Sequence, residues 1–255
     1  MKRTITCTAF ATLVLLLSLA FSGFAQTPSS YYDVYICGDR SVKLHMPEEN
    51  TLANGDKVHW FDENDNAIGT PKIYNGPNST DLDIPANLTV GLHQYKTRIE
   101  NLGGCLGDPS LPYTIYKLPT KELALTENRA AYCAEESNPS IKDATITATT
   151  TPLSPLPAGF EYAYTWTVTK NGTPYSPISN IGSSDNSTTD VNKFTMTVKD
   201  AGTYVFSASV KYVKTAGNGS IFVAADNDGC SVSQTATQTI TVTPKPARPT
   251  ISVIY

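Results

Sequence analysis

The residues best able to do chemistry in this chain are its cysteines. Five occur; Cys7 lies in an apolar N-terminal stretch, and Cys37, Cys105, Cys133 and Cys230 follow it. An even set of thiols predicts disulfides if the chain is exported, and four cysteines allow three connectivities. A second candidate is Asp62-Glu63-Asn64-Asp65-Asn66, where side-chain oxygens at Asp62, Asn64 and Asn66 recur as in a calcium loop. Its sixth position is Ala67 rather than glycine, and its twelfth is Ile73 rather than glutamate. The stretch therefore reads as a hairpin turn first and a calcium site second, and Asp226-Asn227-Asp228-Gly229 reads the same way. His45, His59 and His93 are far apart in sequence. No Gly-x-Ser-x-Gly elbow, His-Glu-x-x-His helix, Walker loop or dinucleotide fingerprint occurs. The expectation is a chain with no catalytic residues, no cofactor and no required metal.

Tyrosines form the remaining candidate group. Tyr31, Tyr32 and Tyr35 cluster, as do Tyr162 and Tyr164, and Tyr204 and Tyr212. Exposed rings of this kind can stack on sugars or anchor a protein partner, but tyrosine is also simply a good strand residue.

An internal duplication selects the disulfide pairing. Cys37-Gly-Asp-Arg-Ser41 matches Cys133-Ala-Glu-Glu-Ser137, with Tyr35 and Tyr132 just before. Each half then carries one tryptophan (Trp60, Trp166), a Gly-Thr-Pro (from Gly69 and Gly172), a glycine leading a strand (Gly91, Gly202) and a closing Gly-Cys (Cys105, Cys230). A repeat of roughly 100 residues is a domain array. If each unit has its own core, the ties fall inside the units, as Cys37–Cys105 and Cys133–Cys230.

The elements that must position these residues are strands. Val58 and Trp60 share one face of Asp56–Phe61. Gln94–Glu100, Tyr162–Val168, Phe194–Val198, Tyr204–Val210 and Ala236–Val242 alternate in the same way. Turn pairs such as Asn54-Gly55, Asn75-Gly76 and Asn171-Gly172 separate the strand-sized runs. Outside the leader no dozen residues hold a helical period. The fold class is all-β, built of antiparallel sandwiches. Both tryptophans, mid-strand on apolar faces, are expected in the core.

Asp200-Ala-Gly-Thr-Tyr204 resembles the D-x-G-x-Y corner of immunoglobulin-like domains, and Trp60 and Trp166 resemble their strand C tryptophan. The resemblance implies that the Tyr204 hydroxyl bonds back to the main chain at the corner. The cysteines depart from the antibody pattern: Phe206 and Tyr95 stand where a strand F cysteine would be. The landmark order resembles the tandem Ig-like repeats of large surface proteins in Bacteroidetes-type bacteria. It implies two tandem immunoglobulin-like sandwiches, over 26–118 and 119–244. Residues 245–255 then read as a linker and the first strand of an incomplete third repeat, an extended C-terminal tail.

Residues 1–25 read as a signal peptide. Lys2 and Arg3 precede an apolar run from Ala9 to Ala20, and Gly23-Phe24-Ala25 supplies small residues before the cut. Export to the cell surface, the medium or the periplasm is expected, without membrane insertion after cleavage. Charged residues are 16% of the chain, and removing Lys2 and Arg3 from the 19 basic residues leaves 17 against 23 acidic ones, net −6. With no basic run, nucleic acid is an unsuitable partner. The expected function is a non-catalytic surface adhesin, spacer or interaction module whose partner is a protein or glycan at the cell surface. The alternative is a carbohydrate-binding module using exposed tyrosines.

Overall fold

A computed structural model describes residues 31–134, 144–151, 156–224, 230–231 and 236–253; the leader and the Asp226–Gly229 turn lie outside them. The first half contains β1 (Val34–Ile36), β2 (Val42–Leu44), β3 (Lys57–Phe61), β4 (Lys72–Ile73), β5 (Leu82–Ile84), β6 (Gly91–Glu100) and β7 (Tyr113–Lys117). The second contains β8 (Glu122–Glu127), β9 (Ala131–Cys133), β10 (Ala144–Thr151), β11 (Phe160–Lys170), β12 (Thr173–Pro174) and β13 (Gly182–Ser184). It continues with β14 (Val191–Met196), β15 (Gly202–Lys214), β16 (Ile221–Val223), β17 (Cys230–Ser231) and β18 (Ala236–Thr243). Among the described residues no helix is long and apolar enough to cross a membrane.

The same strand order occurs twice. In the first half β1-β7-β6-β3-β4 form one sheet and β2-β5 the other; in the second, β9-β18-β15-β11-β12 and β8-β10-β14-β13. In each half the short strand next to the first cysteine runs parallel to the half's last strand, β1 with β7 and β9 with β18. The other pairings within each half are antiparallel. This is the immunoglobulin-like sandwich. Alternation makes the cores. Val58 and Trp60 of β3 point inward to meet Leu44, Leu82, Ile84, Tyr95 and Ile115. Ile146, Val168, Phe194, Phe206 and Ile240 fill the second sandwich.

A third buried cluster spans the halves. Tyr35 and Cys37 from β1 pack with Phe160, Tyr162, Val210, Tyr212 and Cys230. The strands β11 and β15 are long enough to serve two clusters: one end closes the second sandwich and the other meets the first half. β16 leaves the second half to pair with β1, Val34 opposite Ile221 and Ile36 opposite Val223. The connecting segment is not an exposed linker, since Lys117, Leu118, Lys121 and Leu123 are buried. Lys121 Nζ lies 3.3 Å from Asp190 Oδ1, which also accepts from Thr150 Oγ1 at 2.6 Å.

This joint corrects the disulfide expectation. Cys37 is bonded to Cys230, with Cα atoms 6.0 Å apart, while Cys105 and Cys133 are free and exposed. Pairing inside each repeat presumed two separate cores. Here the first cysteine of one half and the second of the other meet in the shared cluster. The strand expected in the tail is also missing over the residues described. Residues 244–253 form no regular element and are exposed.

Candidate functional site

The first sandwich carries a groove whose floor is set by strand register. In β2 and β5, Leu44 lies opposite Leu82, which brings the next residues, His45 and Asp81, side by side. Their side chains meet, His45 Nδ1 to Asp81 Oδ1, at 2.8 Å. Pro47 then starts a 3-10 turn over Pro47–Thr51, which carries Glu49 back under the strand end. Glu49 is 3% exposed and Asp81 6%. Main-chain N–H groups of Asn78 (2.7 Å) and Thr80 (3.1 Å) and the Thr80 hydroxyl (2.8 Å) donate to the Glu49 carboxylate. Burial works to raise its pKa, but these donors and His45 outweigh it and hold the carboxyl below its ordinary value. Trp60 Nε1 donates to the Thr80 carbonyl at 2.9 Å, so the same tryptophan that fills the core also fixes the segment gripping Glu49.

Above this lies a cleft of about 410 Å³ lined by Leu44, His45, Met46, Pro47, Trp60, Thr97, Leu111 and Tyr113. A neighbouring cleft of about 630 Å³ shares Met46, Glu48, Thr97, Ser110 and Leu111 with it. The wall between them is the loop joining β6 to β7. That loop is ordered by its own bonds: Ser110 N to Thr97 O at 2.9 Å, Gly107 N to Ile99 O at 2.8 Å, and Cys105 N to Asn101 Oδ1 at 3.0 Å. It nevertheless presents Leu102, Leu106 and Leu111 to solvent, the last 89% exposed. Leu111 lines both clefts, whereas Leu102 and Leu106 line neither.

The residues singled out from sequence fall as follows. Trp60 is buried; Trp166 is half-buried between the second and the shared clusters and donates to Asn192 Oδ1 at 2.8 Å. The Tyr204 ring is fully buried, and its hydroxyl donates to the Asp200 carbonyl at 2.9 Å. Asp62 spends its carboxylate on its own turn. Oδ1 accepts from the N–H groups of Asn64 and Asn66, both at 2.9 Å, and Oδ2 accepts from the Asn66 side chain at 3.1 Å. The Asn66 bonds hold its pKa low. Asn64 and Asn66 thus act through the turn, and Asp65 pairs with Lys96 at 2.6 Å. The other histidines have separate partners: His59 meets Glu100 at 2.8 Å, and His93 meets the Thr89 carbonyl at 2.8 Å.

The tyrosines proposed for an exposed sugar face are mostly elsewhere. Tyr35, Tyr162, Tyr204 and Tyr212 are buried, and Tyr32 stacks on Tyr116 with centroids 5.1 Å apart. Tyr35, Tyr162 and Tyr212 lie in the cluster between the halves, and Tyr204 lies in the core of the second sandwich. The tyrosine in the groove is Tyr113, 37% exposed, which sequence reasoning passed over, as it did Glu49 and Asp81.

No family model matches the chain, and no curated protein does. Among solved structures it is similar to the fibronectin(III)-like modules of Clostridium thermocellum CbhA, at 12% identity over 88% of this chain and 98% of that one, with a TM-score of 0.36. It is similar to murine CEACAM1b at 13% identity over 83% and 96%, with a TM-score of 0.34. A 1.5-MDa bacterial ice-binding adhesin matches at 14% identity over 82% of this chain and 60% of that one, with a TM-score of 0.38. These are immunoglobulin-like and fibronectin-III-like domains, a bacterial adhesin among them; the superpositions are too loose to carry function, and the fold stands on the strand order described above.

Proposed function

We propose that this chain is an exported, non-catalytic interaction module: a stiff pair of immunoglobulin-like sandwiches, over 26–118 and 119–244 after a leader of 25 residues, that holds a contact surface away from the cell. The observation that carries this reading is Leu111, 89% exposed on the braced loop between β6 and β7 and lining both clefts. A loop that needs its leucines only for its own fold would turn them inward. Here hydrogen bonds do the bracing and leave Leu111 exposed for a partner at the cell surface. The shared cluster behind β1 supports a spacer role, because a buried joint transmits position better than a flexible linker. The test is surface labelling of intact native cells, followed by binding of the purified chain to those cells. Leu111→Asp should abolish binding and leave the melting temperature unchanged. Undiminished binding by Leu111→Asp, or failure to label intact cells, contradicts the proposal.

A further inference from the structure

We infer that His45, Glu49 and Asp81 form a binding site for a divalent transition-metal ion of the zinc class. One donor atom from each lies within 4.8 Å of the other two. The His45 Nδ1 atom is 2.8 Å from Asp81 Oδ1 and 3.8 Å from Glu49 Oε2. One imidazole nitrogen with two carboxylates is a donor set that suits zinc and its neighbours rather than calcium, which takes oxygen alone.

Three further features separate this cluster from a chance gathering of polar groups. The first is charge. Both carboxylates are more than nine-tenths buried, and the half-exposed ring of His45 sits against both. Three N–H and O–H donors stabilise the Glu49 charge and His45 stands beside Asp81, and a divalent ion would add the positive charge that the two buried carboxylates still lack. The second is support. Glu49 is oriented by the Asn78 and Thr80 donors, and Thr80 is in turn held by Trp60, the arrangement of outer partners that fixes a metal ligand. The third is access. His45 is half-exposed and lines the smaller cleft, so the histidine side of the cluster borders solvent while both carboxylates lie beneath it. The three donors would have to draw in around an ion to reach the roughly 2.0–2.2 Å that zinc requires.

The test is isothermal titration of the full exported chain, stripped with a chelator, using zinc chloride alone. One equivalent should bind in the micromolar range. His45→Ala, at a half-exposed position that leaves the core intact, should weaken binding by about tenfold or more. His59→Ala should bind as the parent does. Cobalt(II) should give visible absorption bands in the parent and lose them in His45→Ala. The inference is overturned if no saturable binding occurs, if His45→Ala binds as tightly as the parent, or if His59→Ala loses binding equally.

Discussion

The Tyr35 ring lies 4.5 Å from the Phe160 ring, centroid to centroid, and its hydroxyl donates to the Ala158 carbonyl at 3.1 Å, 123 positions along the chain. Tyr212 answers from the other side, donating to the Pro119 carbonyl at 3.0 Å. These contacts turn the outer face of β1 into an inner one. They join the two halves within one compact unit, Tyr32–Tyr255.

Peptide mapping without reduction should recover Cys37 linked to Cys230, with Cys105 and Cys133 alkylated directly. A link enclosing 193 positions is worth about 5 kcal/mol in the chain-entropy model. Recovery of Cys37–Cys105 would show that the halves close separately.

Trp60→Ala should cost about 3–5 kcal/mol, the range for emptying a buried tryptophan site. Trp60→Phe keeps most of the packing and loses the bond to Thr80, so it should cost about 1 kcal/mol. Denaturant titration of the two variants checks both. A cost for Trp60→Ala below about 1 kcal/mol would place the ring at the surface.

Alkali should unfold the protein from near pH 10. Burial raises the pKa of Tyr162 and Tyr164 well above 10.0 and pushes Tyr212 up to about 12. A phenol with a higher pKa folded than unfolded keeps its proton longer in the native state. Its contribution is therefore intact below the unfolded pKa and is lost as pH rises through the folded one. Tyrosinate absorbance should rise together with loss of structure. Smooth ionisation of all tyrosines at ordinary values, with the fold intact, would contradict the buried joint.

Calcium should leave the melting temperature of metal-free protein unchanged, because the Asp62 carboxylate is already engaged by the N–H groups of its own turn. A rise of several degrees would convert that turn into an ion site.

The strands were legible because alternation survives whenever one face is buried. The strand expected over Tyr204–Val210 lies within the longer Gly202–Lys214, and Trp60, expected in the core from its mid-strand position, is buried there. The joint was not legible, for a physical reason. Tyr35, Tyr162 and Tyr212 sit on strands whose pattern marks one buried face. Whether a neighbouring half also covers their end of the sheet is a matter of docking, which the alternation does not encode. The disulfide followed the joint, so it was misassigned with it. The His45–Glu49–Asp81 cluster depends on the β2–β5 register and on main-chain donors from Asn78 and Thr80. Neither leaves a spacing that could be read along the chain. Asp62, by contrast, was legible as a turn, because its partners are two and four residues away.

The two sandwiches share one buried cluster, so they should unfold as a single body in scanning calorimetry of the oxidised chain. One transition with equal calorimetric and van't Hoff enthalpies is predicted, moved as a whole by Trp60→Ala. Two resolved transitions, with only one displaced by that substitution, would contradict it.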